Sequence, residues 1–99
     1  LVSEAESPRL ALESLGTAEA RTEAAQDALE SGEAFQALHE AVIAYSINPL
    51  YAPGVKLYAI SLDRSGDTTS AIGVYTEALE LLPDDTDITE ALARLKSGE

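Results

Sequence analysis

The chain has 99 residues, 18 acidic and 6 basic, for a formal charge of −12, and it contains no cysteine. That charge repels phosphate backbones and anionic bilayers, which argues against binding to nucleic acid or a membrane surface, and the absence of thiols excludes disulfides, thiolate metal sites and thiol catalysis. With 45% hydrophobic residues and a mean hydropathy of −0.03, the chain can still bury a core, so one small folded domain is expected.

No stretch approaches the roughly 20 apolar residues of a membrane span, and no basic start followed by an apolar run resembles a signal peptide. A soluble domain without membrane insertion is expected, with no address for any compartment. The chain opens on Leu1 and has no Met, so it is expected to be an excised or processed segment.

In chain order, Ser7-Pro8 reads as the N-cap and first residue of a short helix that carries Leu10, Leu12 and Leu15 and breaks at Gly16. Residues 18–31 (AEARTEAAQDALES) are rich in strong helix formers and end at Gly32, where a C-terminal cap favours positive φ. Residues 34–47 form the next helix, with Ala34, Leu38, Ala41, Val42 and Tyr45 spaced three and four apart. Asn48-Pro49 stops it, because proline disfavours the α region in the residue before it.

A second helix pair begins near Tyr51, with Pro53 tolerated in the first turn and Val55, Tyr58, Ala59 and Leu62 on the apolar face before Ser65-Gly66. Asp67 or Thr68 caps the following helix, whose stripe is Ala71, Ile72, Tyr75, Ala78, Leu79 and Leu82, and Pro83 ends it. Asp87-Ile88-Thr89-Glu90 has capping-box spacing, and Ile88, Leu92 and Leu95 line a last helix running to about Lys96. Alternating β-branched runs and Asn-Gly or Asp-Gly hairpin turns are missing, so the expected class is all-α.

Shifting the sequence by 34 residues places Ser31-Gly32-Glu33 on Ser65-Gly66-Asp67, Ala37 on Ala71, Ala44 on Ala78 and Pro49 on Pro83. Ala25 falls on Ala59, and one further step reaches Ala93. A glycine turn, two small residues seven apart and a closing proline thus recur at one period.

These residues resemble the tetratricopeptide repeat (TPR), a 34-residue helix–turn–helix unit. The resemblance is best over 52–85, where Tyr58-Ala59, Leu62, Gly66-Asp67, Ala71-Ile72, Tyr75, Ala78-Leu79 and Pro83 follow the family pattern, with Val55 at the position usually aromatic. Over 18–51 it is degenerate: Ala25, Gly32-Glu33, Ala37-Leu38, Ala44 and Asn48-Pro49 are kept, but Ala24, Ala28 and Ala41 stand at large positions. Residues 86–99 look like the helix and tail that close such an array. The implied architecture is a short right-handed α-solenoid of antiparallel repeats with about five to six helices, preceded by an N-terminal segment, 1–17, with its own short helix. A plain bundle of four or five helices is the alternative.

Alanines bury less area than the Tyr and Leu of the second repeat, so residues 18–31 are expected to be the least stable part unless covered. Leu10, Leu12 and Leu15 could cover them in cis. A second copy could cover them in trans, making a weak homodimer through the repeat ends.

His39, the only histidine, has no evident metal partner and reads as a surface residue. No G-x-S-x-G elbow, phosphate-binding glycine loop or calcium loop is present, and the acids of Asp84-Asp85-Thr86-Asp87 suit a helix start. No nucleophile–base pair or metal constellation stands out, so the domain is read as non-catalytic, with no cofactor.

The resemblance implies a partner held in a shallow concave groove lined by the first helix of each pair. Carried over by position, the lining is Glu19, Thr22, Glu23, Gln26 and Glu30, then Lys56, Ile60, Asp63 and Arg64, then Glu90 and Arg94. Glu19, Glu23, Asp27 and Glu30 form an acidic face, with which Lys56 and Arg64 could pair. Only Lys56 matches the set by which some family members grip a C-terminal carboxylate, since Leu57 and Ile60 replace the asparagines. A protein or peptide segment of basic or mixed charge is the expected partner. The alternative is a self-assembling structural or spacer domain of a larger protein.

Overall fold

The computed structural model describes residues 16–98. Among them are five α-helices and no strands: α1 (Ala18–Glu30), α2 (Ala34–Ile47), α3 (Ala52–Arg64), α4 (Thr68–Leu81) and α5 (Thr86–Lys96). The expected N-terminal helix and the covering role of Leu10, Leu12 and Leu15 lie outside the described residues.

The 34-residue period governs the backbone as well as the sequence. Helices α1, α3 and α5 start after caps at Thr17, Tyr51 and Asp85, and α2 and α4 after Glu33 and Asp67. At the end of α1, the amide of Glu33 donates to Ala28 O (2.8 Å) and that of Gly32 to Leu29 O (3.0 Å). At the end of α3, Asp67 donates to Leu62 O (2.9 Å) and Gly66 to Asp63 O (3.1 Å). This is a Schellman closure used twice. It requires the left-handed backbone of Gly32 (φ 79°) and Gly66 (φ 93°), which glycine adopts without a Cβ clash.

Successive helices pack as α1 on α2, α2 on α3, α3 on α4 and α4 on α5, and α1 also touches α3. That last contact is close. A Cβ on Gly54 of α3 would stand 3.0 Å from Thr22 Oγ1 of α1 and 3.7 Å from Ala44 Cβ of α2. Thr22 is itself buried, its hydroxyl donating to Ala18 O at 2.7 Å.

Two apolar clusters form the core. One joins Val55, Ala59 and Leu62 of α3 to Ala71, Val74, Tyr75 and Ala78 of α4 and to Ile88, Ala91, Leu92 and Leu95 of α5. The other joins Ala25, Ala28 and Leu29 of α1 to Ala37 and Ala41 of α2 and Leu57 of α3. The small positions let the backbones approach closely: Ala25, Ala37, Ala59, Ala71 and Ala78 are fully buried.

Three local expectations are corrected. The buried stripe of α2 is Ala37, Ala41 and Ala44, while Val42 is exposed, because Ala41 and Ala44 turn to the neighbouring helices. In the alanine-rich half, bulk comes from Leu29 and from Leu57 of the next pair. The cap of α5 is Asp85, whose side chain accepts from the Ile88 amide at 3.1 Å, rather than an Asp87–Glu90 box. The helix begins two residues earlier than the box requires, and Asp85 also closes the turn after Pro83 through its amide to Leu82 O.

Candidate functional site

Helices α1, α3 and α5 start in one register, so equivalent positions fall in line: Glu19, Pro53 and Asp87 are each the second residue of their helix. Two adjoining clefts run along these helices.

The first, of about 410 Å³, lies between α1 and α3. Its apolar surface is made by Tyr51, Pro53, Leu57 and Ile60, and its polar surface by Glu19, Thr22, Glu23, Gln26, Lys56 and Asp87. The second, of about 270 Å³, is bounded by Lys56, Ile60, Asp63 and Arg64 of α3, Tyr75 of α4, and Asp87 and Arg94 of α5. Lys56, Ile60 and Asp87 border both.

Of the residues expected to line a groove, Glu19, Thr22, Glu23, Gln26, Lys56, Ile60, Asp63, Arg64 and Arg94 fall in these clefts. Glu30 and Glu90 fall in neither; both are exposed, and Glu30 accepts a hydrogen bond from Gln26 Nε2 at 2.9 Å. Sequence reasoning did not select Tyr51, Pro53, Leu57, Tyr75 or Asp87. The 34-residue step from Glu19 leads to Pro53 and then Asp87, so the register held the signal for those two.

The charges are arranged differently from the expectation. Lys56 does not pair with the acidic face of α1. Its Nζ donates to Asp85 Oδ2 at 2.7 Å and to Asp87 Oδ2 at 3.3 Å. These bonds, that to Asp85 above all, raise the Lys56 pKa against the opposing effect of burial. The hydrogen bond from Lys56 likewise holds the Asp85 carboxyl below its ordinary value, helped by the Ile88 amide. Arg94 bonds Asp63 through Nη2. Asp63 also accepts from Tyr75 OH at 3.4 Å, and burial, then the Asp63 charge, pushes the Tyr75 phenol up to about 12. Arg64 makes no ion pair among the described residues.

The surface therefore offers concave apolar ground with a charged margin. His39 is exposed on α2, away from both clefts, and Asp85 and Asp87 serve the start of α5 and Lys56. No helix of the described residues is long and apolar enough to cross a membrane. Residues 53–95 match the family model described as the tetratricopeptide repeat. No curated protein matches the chain significantly.

Proposed function

From the assignment of residues 53–95 to the tetratricopeptide repeat family, whose repeats generally mediate contacts between proteins, we propose that this domain is a non-catalytic interaction module binding a peptide or protein segment along α1, α3 and α5. Residues 18–51 serve as a second, degenerate repeat and α5 as the closing helix, stacked as a short solenoid. The supporting observation is the line of two clefts that share Lys56, Ile60 and Asp87, giving an extended segment continuous ground across the three helices. A segment of basic or mixed charge suits the margin. So small a surface gives an affinity on the order of micromolar.

The test is capture of partners by this domain, followed by titration of the captured segment against wild type and a variant carrying Gln26→Trp and Arg64→Trp. Both residues are exposed and border the clefts, so bulk there blocks the groove without entering the core. Binding lost in the variant supports the groove. Equal binding overturns it.

One observation favours self-association as a second reading. Phe35, at 75% exposure, and Val42 leave apolar surface open on α2. A mass by light scattering that falls on dilution, and no longer does so in Phe35→Ser, would support it.

A further inference from the structure

The two clefts differ in how much charge is left for a partner. In the second, Arg94 is bonded to Asp63 and Lys56 to Asp85, so most of the basic margin is neutralised within the fold. In the first, one lysine shares the lining with three carboxylates, Glu19, Glu23 and Asp87; Lys56 pairs with Asp87 and, outside the cleft, with Asp85. Lys56 is held at 2.7 Å by the sheltered Asp85, whereas Asp87, 3.3 Å away, keeps 78% of its side chain exposed. Glu19, Glu23 and Asp87 are thus open to an incoming cation, with the apolar surface of Tyr51, Leu57 and Ile60 between them.

We infer that the α1–α3 cleft is a pocket for a lysine or arginine side chain of the bound segment, its aliphatic stem lying on Leu57 and Ile60 and its cationic head meeting Glu19, Glu23 and Asp87. Long basic side chains join the two needs of this cleft, since their methylenes cover apolar surface while the head keeps to the charged edge. The chain's charge of −12 also draws basic segments toward it. This deepens the groove reading and rests on it: of the basic or mixed partners that reading admits, it selects a basic one and says where its cation sits.

The probe is a phage-displayed library of random 15-residue peptides selected on the 99-residue domain. The selected peptides are then measured at low and high salt against four proteins: wild type, Gln26→Trp, the triple variant Glu19→Gln/Glu23→Gln/Asp87→Asn, and the control Asp27→Asn/Glu30→Gln/Glu80→Gln. The control removes equal charge outside the clefts, and thermal melts confirm that each variant is folded.

The expected result is a pool enriched in Lys or Arg beside apolar residues. Its binding is blocked by Gln26→Trp, weakened about tenfold by the triple variant and by added salt, and weakened much less by the control. Binders without a basic residue that Gln26→Trp still blocks would overturn the cation pocket and leave the groove standing. So would basic binders that the triple variant and the control weaken equally, which would mark attraction to net charge alone. If no selected peptide is sensitive to Gln26→Trp, the groove itself falls, and the pocket with it.

Discussion

Lys56 Nζ on α3 lies 2.7 Å from Asp85 Oδ2, and Asp85 Oδ1 accepts the Ile88 amide at the start of α5, so one carboxylate both caps a helix and ties it to the preceding repeat. Both side chains are largely sheltered, at 22% and 18% exposure, which protects the pair from screening that would weaken a surface pair. Asp63 and Arg94 make a second tie between the same two helices.

The two roles of Asp85 separate by substitution. Asparagine keeps the capping oxygen and loses the charge, so Asp85→Asn is expected to cost about 1 kcal/mol or less. Asp85→Ala loses both and should cost about 1–3 kcal/mol. Urea melts of the two variants would show this order, and equal losses would mean that the cap contributes nothing.

Acid should find the same link. The folded Asp85 pKa lies below its ordinary value of 3.8, so its contribution is present above that value and lost as pH falls through the lower folded one. The wild type is expected to lose more stability below about pH 4 than Asp85→Asn does. Melts between pH 6 and pH 2 with parallel slopes for the two proteins would contradict this.

Tyr75 gives an alkaline counterpart. Its folded pKa stands at about 12 against an ordinary 10.0, so burying the neutral phenol stabilises the fold below pH 10, and that contribution is lost as pH rises through 12. Ultraviolet titration should show a late tyrosine that disappears in Tyr75→Phe, and that variant should resist alkali better than wild type. An unchanged titration curve would mean that Tyr75 ionises with the others.

Packing tests the repeat register. Ala78 is fully buried among α3, α4 and α5, so Ala78→Phe should cost about 1–3 kcal/mol by overpacking. Ala71→Leu should do the same. Ala93 occupies the position equivalent to Ala25 and Ala59 but is exposed, because no described helix follows α5 to cover it. Ala93→Leu should therefore stay within about 0.5 kcal/mol. A urea midpoint for Ala78→Phe as high as that of Ala93→Leu would count against the register.

Ser61 is fully buried on α3, and its hydroxyl has no hydrogen-bond partner among the described residues. Removing an unsatisfied buried hydroxyl relieves its desolvation cost, so Ser61→Ala is expected to gain about 1 kcal/mol. A lower melting temperature in Ser61→Ala would show that the hydroxyl is satisfied in solution.

The features legible in the sequence are those that the backbone decides over a few residues. Gly32 and Gly66 end helices because positive φ costs glycine little, and Pro49 and Pro83 follow helix ends because the residue before proline avoids the α region. Their common spacing, with alanines at matching places, carries the period of 34 and so the order and length of α1 to α5. Most of the cleft residues come through the family resemblance, carried over by position, and the period alone points only to those that stand 34 residues apart on α1, α3 and α5, such as Glu19, Pro53 and Asp87.

Tertiary structure decided which of many similar groups meet. Lys56 could have paired with Glu19 or Glu23 as readily as with Asp85, since a side-chain charge carries no record of a partner 29 residues away. Only the packing of α4 between α3 and α5 brings Asp85 and Asp87 to it. The same holds for the bulk that Leu29 and Leu57 lend to the alanine-rich half and for the exposure of Phe35 and Val42. Helical periodicity says that a residue lies on an apolar face, but what covers that face depends on where the other helices stand.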